Sequence, residues 1–199
     1  MNFLDYALHH LSCILRVLRG DVAALGDMDI SADGFWRSFE AFPAALPALF
    51  FAWVVEARQL QAHGVYGSIS SMIVRMAMLE IVFWILPVIV LAFVLRAMRM
   101  TRRFTHLIVA RNWLSALVSY LFVVIPLSEL VAGGGQENAL SGWLTLGAIM
   151  LMLWFSVRVT RIALNVQVMT AIGFVAVETT LTYPLAFFAY GAVGLYPAV

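Results

Sequence analysis

Apolar and polar positions fall in long blocks along this chain: five apolar stretches are separated by short segments that hold nearly all of the charge. A helix needs roughly 20 apolar residues to cross a ~30 Å hydrocarbon core, so the pattern predicts an all-α, polytopic integral membrane helical bundle with about five transmembrane helices. The predicted spans are residues 35–55, 74–97, 113–130, 140–157 and 165–185, and residues 186–199 are expected to lie along the surface as an apolar tail. Two spans must recruit polar flanks, because the uncharged runs 41–55 and 81–95 are each only about 15 residues long. That recruitment draws Trp36, Arg37 and Glu40 to one membrane boundary and Glu80 inside another. Pro43 and Pro47 should bend the first span, and Pro87 should kink the second.

Ahead of the spans, Leu4, Leu8, Leu11, Leu15 and Leu18 recur at a 4-3-4-3 spacing, with Asp5, His9, Ser12, Arg16 and Arg19 elsewhere around the same helix. This segment is too polar to cross, and the pattern predicts an interfacial amphipathic helix with its leucines toward lipid. An Asp- and Gly-rich loop follows, with Ser31 or Asp33 as the N-cap of the next helix. The organisation is thus a cytoplasmic segment, 1–34, and a five-helix transmembrane domain, 35–199. A Gly133-Gly134-Gly135 turn flanked by Glu129 and Glu137 is expected between the third and fourth spans.

Composition reinforces the membrane assignment and closes several routes to chemistry. The chain is 63% hydrophobic and 12% charged, with a mean hydropathy of +0.95, more apolar surface than 199 residues can hide in a soluble core. All 12 positive side chains are Arg. Without lysine there is no P-loop lysine, Schiff-base lysine or kinase lysine. Cys13 is the only cysteine, which excludes an intramolecular disulfide, a CxxC pair and a four-cysteine metal site. Asp5, His9 and His10 occupy the place of a signal peptide's basic and apolar regions, so the mature chain is expected to begin at Met1.

Arginine placement orients the predicted bundle. The N-terminal segment, the second connection and the fourth connection hold Arg16, Arg19, Arg37, Arg96, Arg99, Arg102, Arg103, Arg111, Arg158 and Arg161, against Arg58 and Arg75 in the first and third: ten to two. The positive-inside rule then predicts a bacterial inner-membrane protein with a cytoplasmic N-terminus and a periplasmic C-terminus. The cluster Arg96, Arg99, Arg102, Arg103 and Arg111 reads as this topogenic signal, with contact to lipid phosphate as its functional alternative. It lacks the interleaved aromatics of a nucleic-acid module, and no nucleic-acid partner is expected.

No metalloprotease, serine-hydrolase or phosphate-loop motif is present, and His9 and His10 are neighbours that point about 100° apart on a helix. No enzyme activity, cofactor or metal is expected. The sharpest signal is an acid inside an apolar run. Glu178 lies within the last predicted span, with Gln167, Ala171, Phe174 and Thr182 on its face at helical spacing. A carboxyl group in hydrocarbon must face protein, pair or be protonated. One reading makes Glu178 a relay or the floor of a ligand cavity. The other makes it structural, bonded to the strip Asn112, Ser115 and Ser119 or paired with an arginine. Glu80 invites the same two readings. Ala44, Ala48 and Ala52 form a small-residue ridge for close helix approach.

The layout of a cytoplasmic N-terminal segment, five spans and a short outer C-terminus resembles the Yip family of membrane proteins. The run Gly20-Asp21, then Asp29-Ile30-Ser31-Ala32-Asp33-Gly34-Phe35-Trp36-Arg37-Ser38-Phe39, is similar to the segment that leads into the first span of small Yip-like proteins of alphaproteobacteria. The resemblance implies a membrane organiser rather than an enzyme. The sequence therefore predicts a non-enzymatic protein that serves membrane organisation, complex assembly or partner binding. Its expected partners are the lipid bilayer and another membrane protein or a second copy. The alternative is a small proton- or ion-coupled transporter or channel with a polar pathway through Glu178.

Overall fold

A computed structural model describes residues 2–132 and 138–196, and among these residues the chain is helical without strands. The Gly133-Gly134-Gly135 turn, Glu137 and the last three residues lie outside the described residues. Helix α1 is Phe3–Arg19, α2 Ala32–Arg37, α3 Ala41–Ala62, α4 Ile69–Ala97, α5 Phe104–Phe122, α6 Val124–Ala132, α7 Ala139–Leu164 and α8 Val168–Ala192. Five helical segments are long and apolar enough to cross a membrane, α2 with α3 and α5 with α6 each counting as one. The shortest, α8, has 25 residues and rises about 37 Å at ~1.5 Å per residue, more than a hydrocarbon core. Large apolar side chains such as Val131, Trp143, Met169 and Phe188 are exposed around the outside, as a lipid-covered surface requires.

The helices are longer than the apolar runs that announce them, and the differences move charges. Serine 68 caps α4, which starts at Ile69 rather than 74, so Glu80 sits about three turns inside instead of near a boundary. Helix α5 starts at Phe104 rather than 113, which places Arg111 within a crossing helix. The third crossing breaks at Val123, where Pro126 cannot bond to the Phe122 carbonyl, and resumes as α6. Pro43 acts similarly: it faces the Phe39 carbonyl, and a 3₁₀ turn, Ser38–Glu40, joins α2 to α3. Pro47, Pro87 and Pro184 lie inside continuous helices. The expected surface tail after residue 185 is instead the last two turns of α8, since an intramembrane helix tolerates proline where neighbours cover the freed carbonyl.

Helix α1 divides into three sectors where the leucine pattern predicts two. Leu4, Leu8 and Leu15 are exposed on one side, and Asp5, His9, Ser12, Arg16 and Arg19 on the next. The third sector, Tyr6, His10, Cys13, Ile14 and Val17, is buried against the bundle. Asn2 caps its start by accepting from the Asp5 N–H at 2.8 Å, and Gly20, at φ 118°, ends it in a left-handed turn open to glycine. Arg16 then ties the following 3₁₀ turn, Val22–Asp27, to the helix through Asp21 and Asp27 at 2.6 and 2.7 Å. Ser31, not Asp33, caps α2.

The two ends of the bundle are distinct. At one, Val22, Leu25, Ile30, Arg103, His106, Ile162 and Asn165 border a single hollow, and the Arg158 Nε–H donates to the Val17 carbonyl at 3.2 Å. At the other, Leu195 is buried with Trp53, Ala57, Val65, Met72 and Met76, and Arg75 donates to the Val193 carbonyl at 3.0 Å. The N-terminal helix and the end of α8 therefore belong to opposite ends. Helix α5 is the central element, and Leu107, Ile108, Val109, Ala110, Trp113 and Ala116 are buried along it.

Candidate functional site: a charged cavity between four helices

Arg111 and Glu178 meet inside the bundle. A guanidinium N–H of Arg111 donates to a carboxylate oxygen of Glu178, both side chains largely buried. The helix starts explain the meeting: α5 and α8 both begin at the α1 end, and Arg111 is seven residues into one helix while Glu178 is ten into the other. Both charges thus lie about 10–15 Å along their helices at ~1.5 Å per residue. Either charge alone in hydrocarbon would be costly; together they neutralise each other.

The pair borders a cavity of about 230 Å³ where α4, α5, α7 and α8 converge. Glu80 reaches it from α4, Asn112, Ser115 and Ser119 from α5 and Ser156 from α7, with Trp84, Leu91, Ile108 and Met152 among its apolar walls. Of the residues that the sequence singles out for this site, Glu178, Glu80, Asn112, Ser115 and Ser119 line the one cavity. Two do not. Gln167 is exposed at the start of α8, because Asn165, at φ 54°, has already ended α7 there; Thr182 is half-buried and outside the cavity lining.

The hydrogen bonding expected of the polar strip is also different. The Asn112 amide donates to Ser38 Oγ at 2.8 Å, and Ser38 in turn donates to the Phe35 carbonyl, so this amide locks α5 to the α2–α3 junction. Ser119 donates to the Ser115 carbonyl at 3.0 Å. Glu178 takes its partner from Arg111, whose place in the arginine cluster is corrected accordingly. Arg96, Arg99, Arg102 and Arg103 remain exposed at the α1 end, and with Arg111 removed the arginine asymmetry becomes nine to two.

Two further acids, absent from the sequence reading of the site, extend it toward the opposite end. Glu56 falls inside α3, and the charges of Glu80 and Glu129 both act on it. Glu129, buried in α6, accepts from the Gln59 amide at 2.9 Å, and Tyr190 of α8 lies within the field of Glu56 and Glu80. Glu56 directly follows the uncharged run 41–55 and Glu129 stands one residue before the end of the predicted span 113–130, so in sequence both read as boundary residues. Among the described residues no group of three or more His, Cys, Asp or Glu is placed to hold a metal ion.

The expected alanine ridge is used within the chain. Ala48 is buried, Ala44 and Ala52 are half-buried, and Ala41 and Ala45, one step round the helix, are buried more deeply than any of the three. Tyr120 of α5 donates to the Ala44 carbonyl at 2.8 Å across this contact. The ridge therefore serves α3–α5 packing.

A second polar knot fastens α1 to the bundle. His10 is buried, with Nδ1–H donating to the Tyr6 carbonyl at 2.9 Å and Nε2 accepting from the Asp29 N–H at 3.3 Å, which requires the neutral ring. Its ring stacks on Trp113 at 5.2 Å. Burial holds His10 below its ordinary pKa, against the bond to the Tyr6 carbonyl. Tyr6 carries the Arg37 guanidinium over its ring at 3.7 Å; burial first, then Asp29, pushes its phenol up to about 12.

No protein-family model matches the chain, and no curated protein or solved structure shows significant similarity to it.

Proposed function

We propose that this protein is a small non-enzymatic carrier or channel of the bacterial inner membrane, with a polar pathway through the cavity that Arg111 and Glu178 border. The single observation behind this reading is the convergence of two carboxylates, one guanidinium and several hydroxyls on one 230 Å³ space between four helices. A purely structural ion pair needs no space beside it, and hydrocarbon-filled voids need no polar lining. The alanine ridge, by contrast, is already occupied by α5, which weakens assembly through that face as the main role.

In this reading the end with α1 and the exposed arginines is cytoplasmic and the end of α8 periplasmic, by the positive-inside rule. The exposed Leu4, Leu8 and Leu15 then sit in the interfacial plane with Arg16 and Arg19 near lipid phosphate. The Yip-like layout is compatible with this placement and contributes no residue to the cavity.

The test is uptake into proteoliposomes of a panel of small solutes: tetramethylammonium, acetate and glycerol. Uptake of at least one above protein-free vesicles, abolished when Ser115→Trp fills the cavity, is the expected result. Uptake that Ser115→Trp leaves unchanged, or none for any solute, would overturn the reading.

A further inference from the structure

We infer that the cavity takes a small organic cation, a primary or quaternary ammonium compound. This rests on the cavity reading above and adds the chemistry of the occupant. The charge balance carries it. Arg111 is committed to Glu178, whereas Glu80 borders the same space with no ion pair or hydrogen bond among the described residues. Toward the α3–α4 end lie two further acids outside the cavity lining, Glu56 and the Gln59-bonded Glu129, and the arginines near that end are turned elsewhere: Arg75 donates to the Val193 carbonyl and Arg58 is exposed. Three carboxyl groups, Glu80, Glu56 and Glu129, thus stand beyond the Arg111–Glu178 pair with no ion pair to an arginine among the described residues. An anion would meet that field unfavourably, and a cation would complete it.

The walls fit an organic cation better than a bare metal ion. Phe83 and Trp84 border the cavity on the same face as Glu80, and an aromatic ring beside a carboxylate is the surface that recognises ammonium groups. A metal ion would want several oxygen ligands converging at one point, and no such cluster of acids exists among the described residues. A volume of about 230 Å³ admits a tetramethylammonium-sized guest.

The test is calorimetric titration of the full chain in lipid nanodiscs, at constant ionic strength, with tetramethylammonium, then acetate, then glycerol. Tetramethylammonium should bind, at least tenfold more weakly in Glu80→Gln and in Trp84→Leu, with Glu80→Asp recovering part of the affinity. Monodisperse elution of each variant controls for folding, and Glu80→Gln removes a charge without changing shape. Binding of acetate or glycerol with tetramethylammonium silent overturns the cation assignment and leaves the cavity reading standing. Tetramethylammonium affinity unchanged in Glu80→Gln and Trp84→Leu also overturns the assignment, and silence from all three solutes removes both.

Discussion

Arg111 on α5 and Glu178 on α8 form an ion pair across 67 residues of sequence, at the edge of a cavity that also receives Glu80. Each charge makes the other tolerable at that depth, and this reciprocity gives an energetic prediction. Arg111→Gln or Glu178→Gln alone leaves an uncompensated buried charge and should destabilise the bundle by roughly 3–5 kcal/mol. The double substitution should recover most of that loss. Thermal unfolding in detergent followed by tryptophan fluorescence reads both; single variants that melt like the wild type would mean that the two side chains are not partners.

His10 sets a pH limit on the docking of α1. Its folded pKa lies below the ordinary 6.5, so the undocked state binds the proton more readily and docking weakens as pH falls. The contribution is complete above roughly pH 6.5 and is lost as pH drops from there through the folded value. Protonation breaks the bond from the Asp29 N–H and places a cation beside Arg37, with His9, Asp29 and Tyr6 as the other titratable neighbours. Trypsin cleavage at Arg16 and Arg19 should therefore quicken below pH 6.5, and His10→Phe, which keeps the stack on Trp113, should flatten the pH dependence.

The Tyr6 hydroxyl is buried with no hydrogen-bond partner among the described residues, while its ring supports Arg37 and meets Trp113 edge-on. Tyr6→Phe keeps both ring contacts and removes an unsatisfied polar atom, so the melting temperature should hold or rise by the equivalent of about 1 kcal/mol. Tyr6→Ala should lose about 3 kcal/mol, the cost of a large-to-small change in a packed site. A Tyr6→Phe loss as large as that of Tyr6→Ala would show that the hydroxyl has a partner.

Much of the architecture was legible because lipid enforces a simple rule: long apolar runs with capped ends must be helices. Glu178 stood out for the same reason, as a lone acid in such a run. Arg111 was hidden. The arginines from Arg96 to Arg103 make the whole segment look like a loop, and only seven residues, Phe104 to Ala110, separate Arg111 from that cluster. The helix start at Phe104 comes from burial against neighbouring helices, which local composition does not record. Gln167 failed for the opposite reason: at −11 it shares the helical phase of Glu178, but Asn165 breaks the chain between α7 and α8 and leaves it at the tip. On α1 the buried sector was missed because Tyr6, His10 and Cys13 do not extend a leucine repeat, although together they make one continuous face.

Orientation follows from the same charges. Reporter fusions at residues 98–103 and 162–166 should report cytoplasm, and fusions at 63–68 and after Val199 the periplasm. Replacing Arg99, Arg102 and Arg103 together by Asn should weaken that bias. A C-terminal fusion that reports cytoplasm would contradict the five-crossing topology.

A polar pathway requires above all that the space beside Arg111 and Glu178 be hydrated within the membrane. With Cys13 replaced by Ala, Ser119→Cys and Ser156→Cys can each be challenged in membranes with a small charged, water-soluble thiol reagent and with a lipid-soluble maleimide. The water-soluble reagent should modify both positions, and should react more slowly when Ser115→Trp fills the cavity. Modification by the lipid-soluble maleimide alone would contradict such a pathway, because the four helices would then enclose only hydrocarbon around an inert ion pair.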